Sequence, residues 1–327
     1  MSIIRGTYFR PVENASGLAN FFGEGYRQTP HVSWLRRLLG NKIGFVSKTT
    51  TIGKRRGNMP LRDGTNQSIE RFPGRINFYP WKGVALNAVG LSGNGLEWLL
   101  QQAKWQLRTD PFWISFMAIG STVEERLAET REFVRLLKRK KLNFRSTFGV
   151  EQNFSCPNVG RKPTPPEKFI NEVHQMADIV AELDVPYRVK FVVTTDVGTA
   201  KTALEHEAID ALVMSNTIPF GHQILPKEIW ECLFGTADPE KSPLAQYKGG
   251  GGLSGWPLRK LVLDWISDLR YSHFHKPIWA CGAMGSYSAV GKAYIKGASG
   301  IQIGTDAVMR PAGIPLAVWR AYRLFER

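Results

Sequence analysis

Short apolar runs alternate with amphipathic stretches along most of the chain. Runs rich in β-branched and aromatic residues fall at 43–48, 112–118, 148–154, 187–193, 211–216, 277–281 and 300–304. Several are apolar at consecutive positions, as strands covered by helices on both sides must be. The stretches between them have helical spacing and readable ends. Ser121, with Glu124 three positions on, predicts a capped helix start. Thr164-Pro165-Pro166-Glu167 predicts another, with proline where the missing N–H costs nothing. The stretch 286–296 stops at Gly297, a residue suited to a left-handed helix end. Regular alternation of strand and helix predicts a parallel sheet, and seven strand-like runs exceed what one half of a nucleotide-binding fold supplies. The reading places an eighth strand near 84–87, hidden among polar neighbours. The expected fold is α/β, a single (β/α)8 TIM barrel over 1–327, without a Pro/Ser/Gly linker or an internal repeat.

Two stretches, 62–86 and 217–250, break this rhythm and are read as inserted loops serving as lid or interface. In a barrel, loops that follow the C-terminal ends of strands build the active site.

Composition narrows the picture. The 327 residues are 43% hydrophobic, which is ample for a core and excludes a disordered chain. No stretch approaches the ~20 apolar residues that span a bilayer, and the first six residues lack a signal-peptide run. A cytoplasmic protein without a membrane anchor is expected. Three cysteines without a CxxC pair argue against a disulfide framework and against a cysteine-rich zinc or iron–sulfur site. None of the six histidines has metal-ligand spacing, so no metal is expected, and His273 and His275 read as surface residues. Cys232 and Cys281 read as packing residues. With 43 Lys plus Arg against 28 Asp plus Glu, the formal charge is +15, which suggests nucleic acid, anionic membrane or an acidic partner protein. The densest cluster, Lys138-Arg139-Lys140-Lys141, ends a helical pattern, where cations oppose the helix dipole. Neither zinc-finger spacing nor an RNP-like aromatic motif accompanies it, so a solvated basic surface is preferred.

The candidate chemistry is concentrated at strand ends. Asn153-Phe154-Ser155-Cys156-Pro157-Asn158 finishes a strand and turns at proline. Its asparagines both donate and accept, which suits a planar ligand of alternating C=O and N–H groups. A cysteine between them can move a proton where its pKa and access permit. Local physics leaves open a turn that asparagine and proline merely shape. Lys190 lies between Val189 and Phe191 in an apolar strand, and a buried lysine needs a partner. The loops Gly251-Gly252, Gly282-Ala283 and Gly304-Thr305 are either plain turns or, taken together, a cradle for a phosphate-bearing cofactor.

The Asn153–Asn158 stretch resembles the NxSCPN signature of the soluble, class 1 dihydroorotate dehydrogenases. Further segments follow in the family's order. Asn14-Ala15-Ser16-Gly17 is similar to its first flavin loop, and Val46-Ser47-Lys48-Thr49 to its lysine strand. Arg56-Gly57-Asn58 follows, and Asn87-Ala88-Val89-Gly90-Leu91 resembles the substrate segment NxxGL. Arg188-Val189-Lys190 resembles the strand bearing the flavin lysine, and Asn216-Thr217 the Asn-Ser pair. Gly251-Gly252, Gly282-Ala283 and Gly304-Thr305 resemble the remaining flavin loops.

This resemblance implies an FMN-containing barrel that oxidises dihydroorotate to orotate in pyrimidine synthesis. Cys156 would be the general base, and Lys48 would bridge substrate and flavin. Asn87, Gly90, Leu91, Asn153, Asn158, Asn216 and Thr217 would hold the substrate. Ala15, Ser16, Gly17, Thr49 and Lys190 would meet the flavin, with Asn87, Asn153 and the three late glycine loops. The implied partners are dihydroorotate, a second copy in a homo-oligomer such as a dimer, and an electron-transfer subunit. Fumarate, quinone and an NAD-linked subunit are the family's oxidants. The sequence carries neither an iron–sulfur motif nor a dinucleotide fingerprint, so NAD would require a second protein. Thr217 replaces the usual serine, Ala283 replaces the second glycine of a pair, and both inserted stretches are longer than in the fumarate-using members. Two other readings stay open: a flavin enzyme acting on another pyrimidine-like ring, and a basic nucleic-acid-binding protein on a degenerate barrel.

Overall fold

The computed structural model describes residues 3–154 and 165–326. Within them, eight parallel strands follow one another around a ring. They are β1 (Val12–Asn14), β2 (Phe45–Val46), β3 (Phe112–Phe116), β4 (Phe148–Asn153), β5 (Tyr187–Phe191), β6 (Ala211–Met214), β7 (Ile278–Cys281) and β8 (Gly300–Ile303). The ladder runs β2 to β8 in sequence and from β8 to β1. Gly44 closes the circle, donating its N–H to Val12 O (2.8 Å) and accepting from Asn14 N (3.1 Å). All seven apolar runs supply barrel strands. The eighth strand is a correction: it is β1, not 84–87. Glu13 faces a polar layer inside the barrel and Asn14 bonds the backbone of Val46 on β2, so the segment lacks the apolar signature that marks the other strands.

Val84–Asn87 is a strand of a different sheet. It pairs antiparallel with Ile76–Tyr79 on one side and Gly252–Gly255 on the other, and Gly252–Gly255 pairs in turn with Ile218–Pro219. The two inserted stretches, which follow β2 and β6, therefore meet in one four-stranded sheet.

The barrel interior is built in layers. At its N-terminal end, Ile4, Phe9, Val46, Trp113, Ala211, Val213 and Trp279 form an apolar floor, with Phe9 stacked on Trp113 at 4.1 Å between centroids. The two indoles fit because their neighbours lack side chains. A Cβ on Gly149 would lie 2.4 Å from the Trp113 ring, and one on Gly300 would lie 2.6 Å from Trp279 Nε1. Above the floor sits a charged layer. Arg188 on β5 stacks 3.9 Å over Trp113 and donates to Glu13 Oε2 and Glu151 Oε2, each at 2.7 Å. All three side chains are buried.

Helices cover the outside. The helix Val123–Lys138 is capped by Thr122 with Glu125 in a reciprocal box, one residue later than Ser121 and Glu124 predict. Ser121 instead donates its N–H to Glu125 Oε2 (2.6 Å). Pro166–Ala181 begins with proline at its first position, as expected. Tyr287–Ile295 starts from a Ser286 cap, and the chain leaves it through Gly297 at φ +91°. In the basic cluster, Lys141 donates to the carbonyls of Leu183 (2.6 Å) and Asp184 (3.0 Å), and Lys138 pairs with Glu182 at 3.4 Å. The cluster thus ties the end of one helix to the end of the next. Cys232 is exposed on Lys227–Phe234, a correction to the packing role. That helix turns Trp230 and Leu233 inward instead. No helix among the described residues is long and apolar enough to cross a membrane.

Candidate active site

The polar side chains predicted to carry chemistry gather at the C-terminal ends of the barrel strands. Strand alternation explains part of this. In β5, Arg188 and Lys190 share the inner face, while Tyr187, Val189 and Phe191 point to the helices. In β4, Glu151 and Asn153 do the same, and the register sets Glu151 beside Arg188 and Asn153 beside Lys190. The lower pair makes the charged layer and the upper pair reaches the open end.

Asn216, just beyond β6, donates from Nδ2 to Asn153 Oδ1 at 2.7 Å. Asn87 stands beside Gly252 in the inserted sheet, its Nδ2 3.4 Å from Gly252 O. After β1 and β2, three hydroxyls form a cluster. Ser16 Oγ lies 2.8 Å from Thr49 Oγ1 and 3.2 Å from Ser115 Oγ, and Thr49 Oγ1 lies 2.9 Å from Ser115 Oγ. Sequence reasoning missed Ser115. A lone serine inside the apolar run of β3 was its only signal. Thr305 Oγ1 meets Ser254 Oγ at 2.7 Å, joining the β8 loop to the inserted sheet. Ser254 was missed as well. Thr217, only half-buried, lies next to Asn216.

Lys48 is the most telling residue of the site. It is 5% exposed, and its Nζ has no hydrogen-bond partner among the described residues. The Phe21 ring lies 5.1 Å away. Burial pulls its pKa down from 10.5 to about 8, against the opposing attraction of Glu24. A buried amine without a hydrogen-bonding partner is costly, and an anionic or carbonyl-bearing ligand would satisfy it.

This cost predicts a pH dependence. Between about pH 8 and 10.5 the folded chain has released the Lys48 proton while the unfolded chain still holds it, so folding stability rises with pH. The expected gain is about 3 kcal/mol. Lys48→Met is therefore more stable than wild type at pH 7, and the gap closes as pH rises through that window. Urea unfolding of both proteins without added ligand checks this, and a gap independent of pH would refute it.

The loops that could hold a phosphate-bearing group are crowded against their own framework. A Cβ on Gly282 would lie 3.1 Å from Val262, one on Gly304 would lie 3.3 Å from Ala15 Cβ, and one on Gly251 would lie 2.9 Å from Leu244. Ala283, where the family has glycine, sits at φ +54°, and its carbonyl accepts from Arg259 Nε at 2.9 Å. The left-handed backbone accounts for the family's glycine there. Leu91 likewise lies at φ +59° and Gly90 at +69°, and a leucine in this region marks a segment held in place by its surroundings. Cys281 is partly covered at the end of β7, where burial pushes its thiol pKa up despite nearby Lys190. Cys156 and Asn158 lie outside the described residues.

A closed (β/α)8 barrel whose strand ends carry buried lysines, paired asparagines and glycine loops is a small-molecule enzyme scaffold of the cofactor-binding kind. The comparisons with known proteins give it a family. The family model described as dihydroorotate dehydrogenase matches residues 73–319, and the chain belongs to that family. Several similar curated proteins are named dihydroorotate dehydrogenase B (NAD(+)), catalytic subunit. The one from Anoxybacillus flavithermus is 30% identical over 70% of this chain and 67% of its own length. That of Geobacillus sp. is 28% identical over 93% of this chain and 83% of its own, and that of Carboxydothermus hydrogenoformans 24% over 85% and 78%. Among solved structures, Eimeria tenella DHODH in complex with ferulenol covers 98% of this chain and 82% of its own, with a TM-score of 0.64. At 16% identity that likeness speaks for the fold.

Proposed function

We propose that this chain oxidises dihydroorotate to orotate with bound FMN, serving pyrimidine synthesis in the cytoplasm. The observation that carries the reading is the buried, unsatisfied Lys48 Nζ in a site lined by the Asn153–Asn216 pair and Asn87. The carboxylate of dihydroorotate supplies the acceptor that Lys48 Nζ lacks among the described residues, and its ring amides match the donating and accepting chemistry of the asparagines. Lys48 would anchor the anionic substrate beside the flavin. Asn87, Gly90, Leu91, Asn153, Asn158, Asn216 and Thr217 would set the orientation of the ring. Cys156 would remove the proton from the ring carbon. Ala15, Ser16, Gly17 and Thr49 would hold the flavin, and Gly251, Gly252, Gly282, Ala283, Gly304 and Thr305 the rest of the FMN. When bound, FMN supplies the two-electron acceptor for the substrate's hydride. Lys190 would help hold the flavin and stabilise negative charge on it when reduced.

The relatives' names support an electron route through a partner subunit to NAD(+). Exposed Phe72 and Trp81 on the first insertion support that sheet as an interface, the homodimer being the simplest assembly. Anaerobic mixing tests the reading. The purified protein, loaded with FMN, is bleached by dihydroorotate and not by dihydrouracil. Bleaching by dihydrouracil alone would move the activity to another pyrimidine-like ring, and no FMN binding would end the proposal.

A further inference from the structure

We propose that Gln302 is a positioning residue for Lys190, linking it to a carboxylate pair inside the barrel and so setting the reduction potential of the flavin. The inference rests on the FMN reading above, because it concerns how the chain presents Lys190 to that group.

The geometry is a relay across four strands. Lys190 Nζ on β5 donates to Gln302 Oε1 on β8 at 3.0 Å. Gln302 Nε2 donates to Glu151 Oε2 at 2.8 Å and lies 3.3 Å from Glu13 Oε2. Both carboxylates are in turn held by Arg188. Gln302 is 1% exposed and Lys190 3%. The amide can point only one way. Its NH₂ faces two carboxylate oxygens, and reversing it would set a carbonyl against them and turn the NH₂ on the ammonium. The charged layer therefore orients the amide, and the amide holds Lys190 Nζ at 3.0 Å.

The relay also separates charges. Lys190 already acts on Glu151, whose carboxyl would be raised by burial but is held below its usual range by Arg188 and Lys190 together. Without the amide between them, the ammonium is drawn down toward the carboxylates and away from the open end. A cation lowered in this way stabilises a reduced, negatively charged ligand less than before. The amide also serves the two carboxylates below it, and its contact with Lys190 is the one that faces the open end.

The test is a double-mutant cycle read as the midpoint potential of bound FMN, measured anaerobically against dyes of known potential. Gln302→Met keeps the volume and removes the relay. It is expected to weaken the preference for reduced over oxidised FMN about tenfold, a negative shift of about 30 mV. In a Lys190→Met background the same change is expected to add nothing, because Gln302 acts through Lys190. Gln302→Asn retains the amide one methylene short and is expected to shift the potential in the same direction, which keeps the test available should Gln302→Met fail to fold. Equal shifts in both backgrounds, or no shift in either Gln302 variant, would overturn the inference. Retention of FMN by the wild-type protein is scored separately, so a failed functional reading is told apart from a failed relay.

Discussion

Arg188→Leu is expected to lose about 3–5 kcal/mol of folding stability, the scale for removing one partner from a buried ion pair. The substitution leaves Glu13 and Glu151 facing each other, both buried and without their shared cation. It also uncovers the Trp113 face that the guanidinium stacks on at 3.9 Å. In the wild type, burial already raises the Glu13 carboxyl above its ordinary range even with Arg188 beside it. Without Arg188 the carboxyls rise further in the folded state, while in the unfolded chain they titrate near 4.3. A raised folded pKa gives stability that is complete below the unfolded value and is lost as pH rises through the folded one. The variant is therefore closer to wild type at pH 5 than at pH 8. Urea unfolding at the two pH values measures it, and a loss within 1 kcal/mol at pH 8 would show that the charged layer contributes little. A domain stable by the usual ~5–15 kcal/mol would survive the loss at low temperature but not with much margin.

The same charged layer explains what the sequence made legible and what it hid. Apolar runs such as 112–118 and 211–216 announce strands because both of their faces are covered, one by helices and one by the barrel's own filling. β1 gives no such signal. Its inward residue is Glu13, which is tolerated only because Arg188, Trp113 and Gln302, 100 or more residues away in sequence, supply its partners. A strand made acceptable by distant residues cannot be read locally. Lys190 was visible as an anomaly between Val189 and Phe191, and its spacing of two from Arg188 points both side chains inward. Gln302 carries the complementary anomaly in β8, a lone polar residue between two isoleucines. Polar residues at inward positions of the apolar strands mark Glu151, Arg188 and Gln302 together, and leave Glu13 unmarked. The 84–87 segment failed for the opposite reason. Its short apolar run is that of a strand, but only its antiparallel neighbours decide which sheet it joins.

Much of the site was legible because it sits at strand ends, where sequence order and spatial order agree in a barrel. Asn153 and Asn216 are 63 residues apart yet hydrogen-bonded, since β4 and β6 place their last residues on one rim. The hydroxyl links were not legible. Ser115 with Thr49, and Ser254 with Thr305, are contacts between a site residue and a neighbour with no signature of its own. Such neighbours fix rotamers, and single-residue patterns carry no trace of them.

Cys156→Ser is expected to slow reduction of bound FMN by dihydroorotate about 100-fold or more at neutral pH, within the ~10²–10⁴ range for losing a general base. β4 ends at Asn153, so Cys156 follows within three residues of an asparagine that is hydrogen-bonded on the rim. A cysteine thiol titrates near 8.5 and is partly thiolate near neutral pH, whereas a serine hydroxyl keeps its proton there. Substrate binding should change little, because Lys48 and the asparagines are untouched, so the loss falls on the rate of bleaching at saturating dihydroorotate and not on the concentration needed to reach it. Raising the pH speeds bleaching in the wild type through the thiol's titration, and the serine variant lacks that step. Stopped-flow absorbance under anaerobic conditions, at several substrate concentrations and pH values, separates these quantities. Reduction kinetics unchanged in Cys156→Ser would remove the residue from the base role. The proton would then have to leave through another group, and Lys48, with its pKa near 8, is the one the site offers.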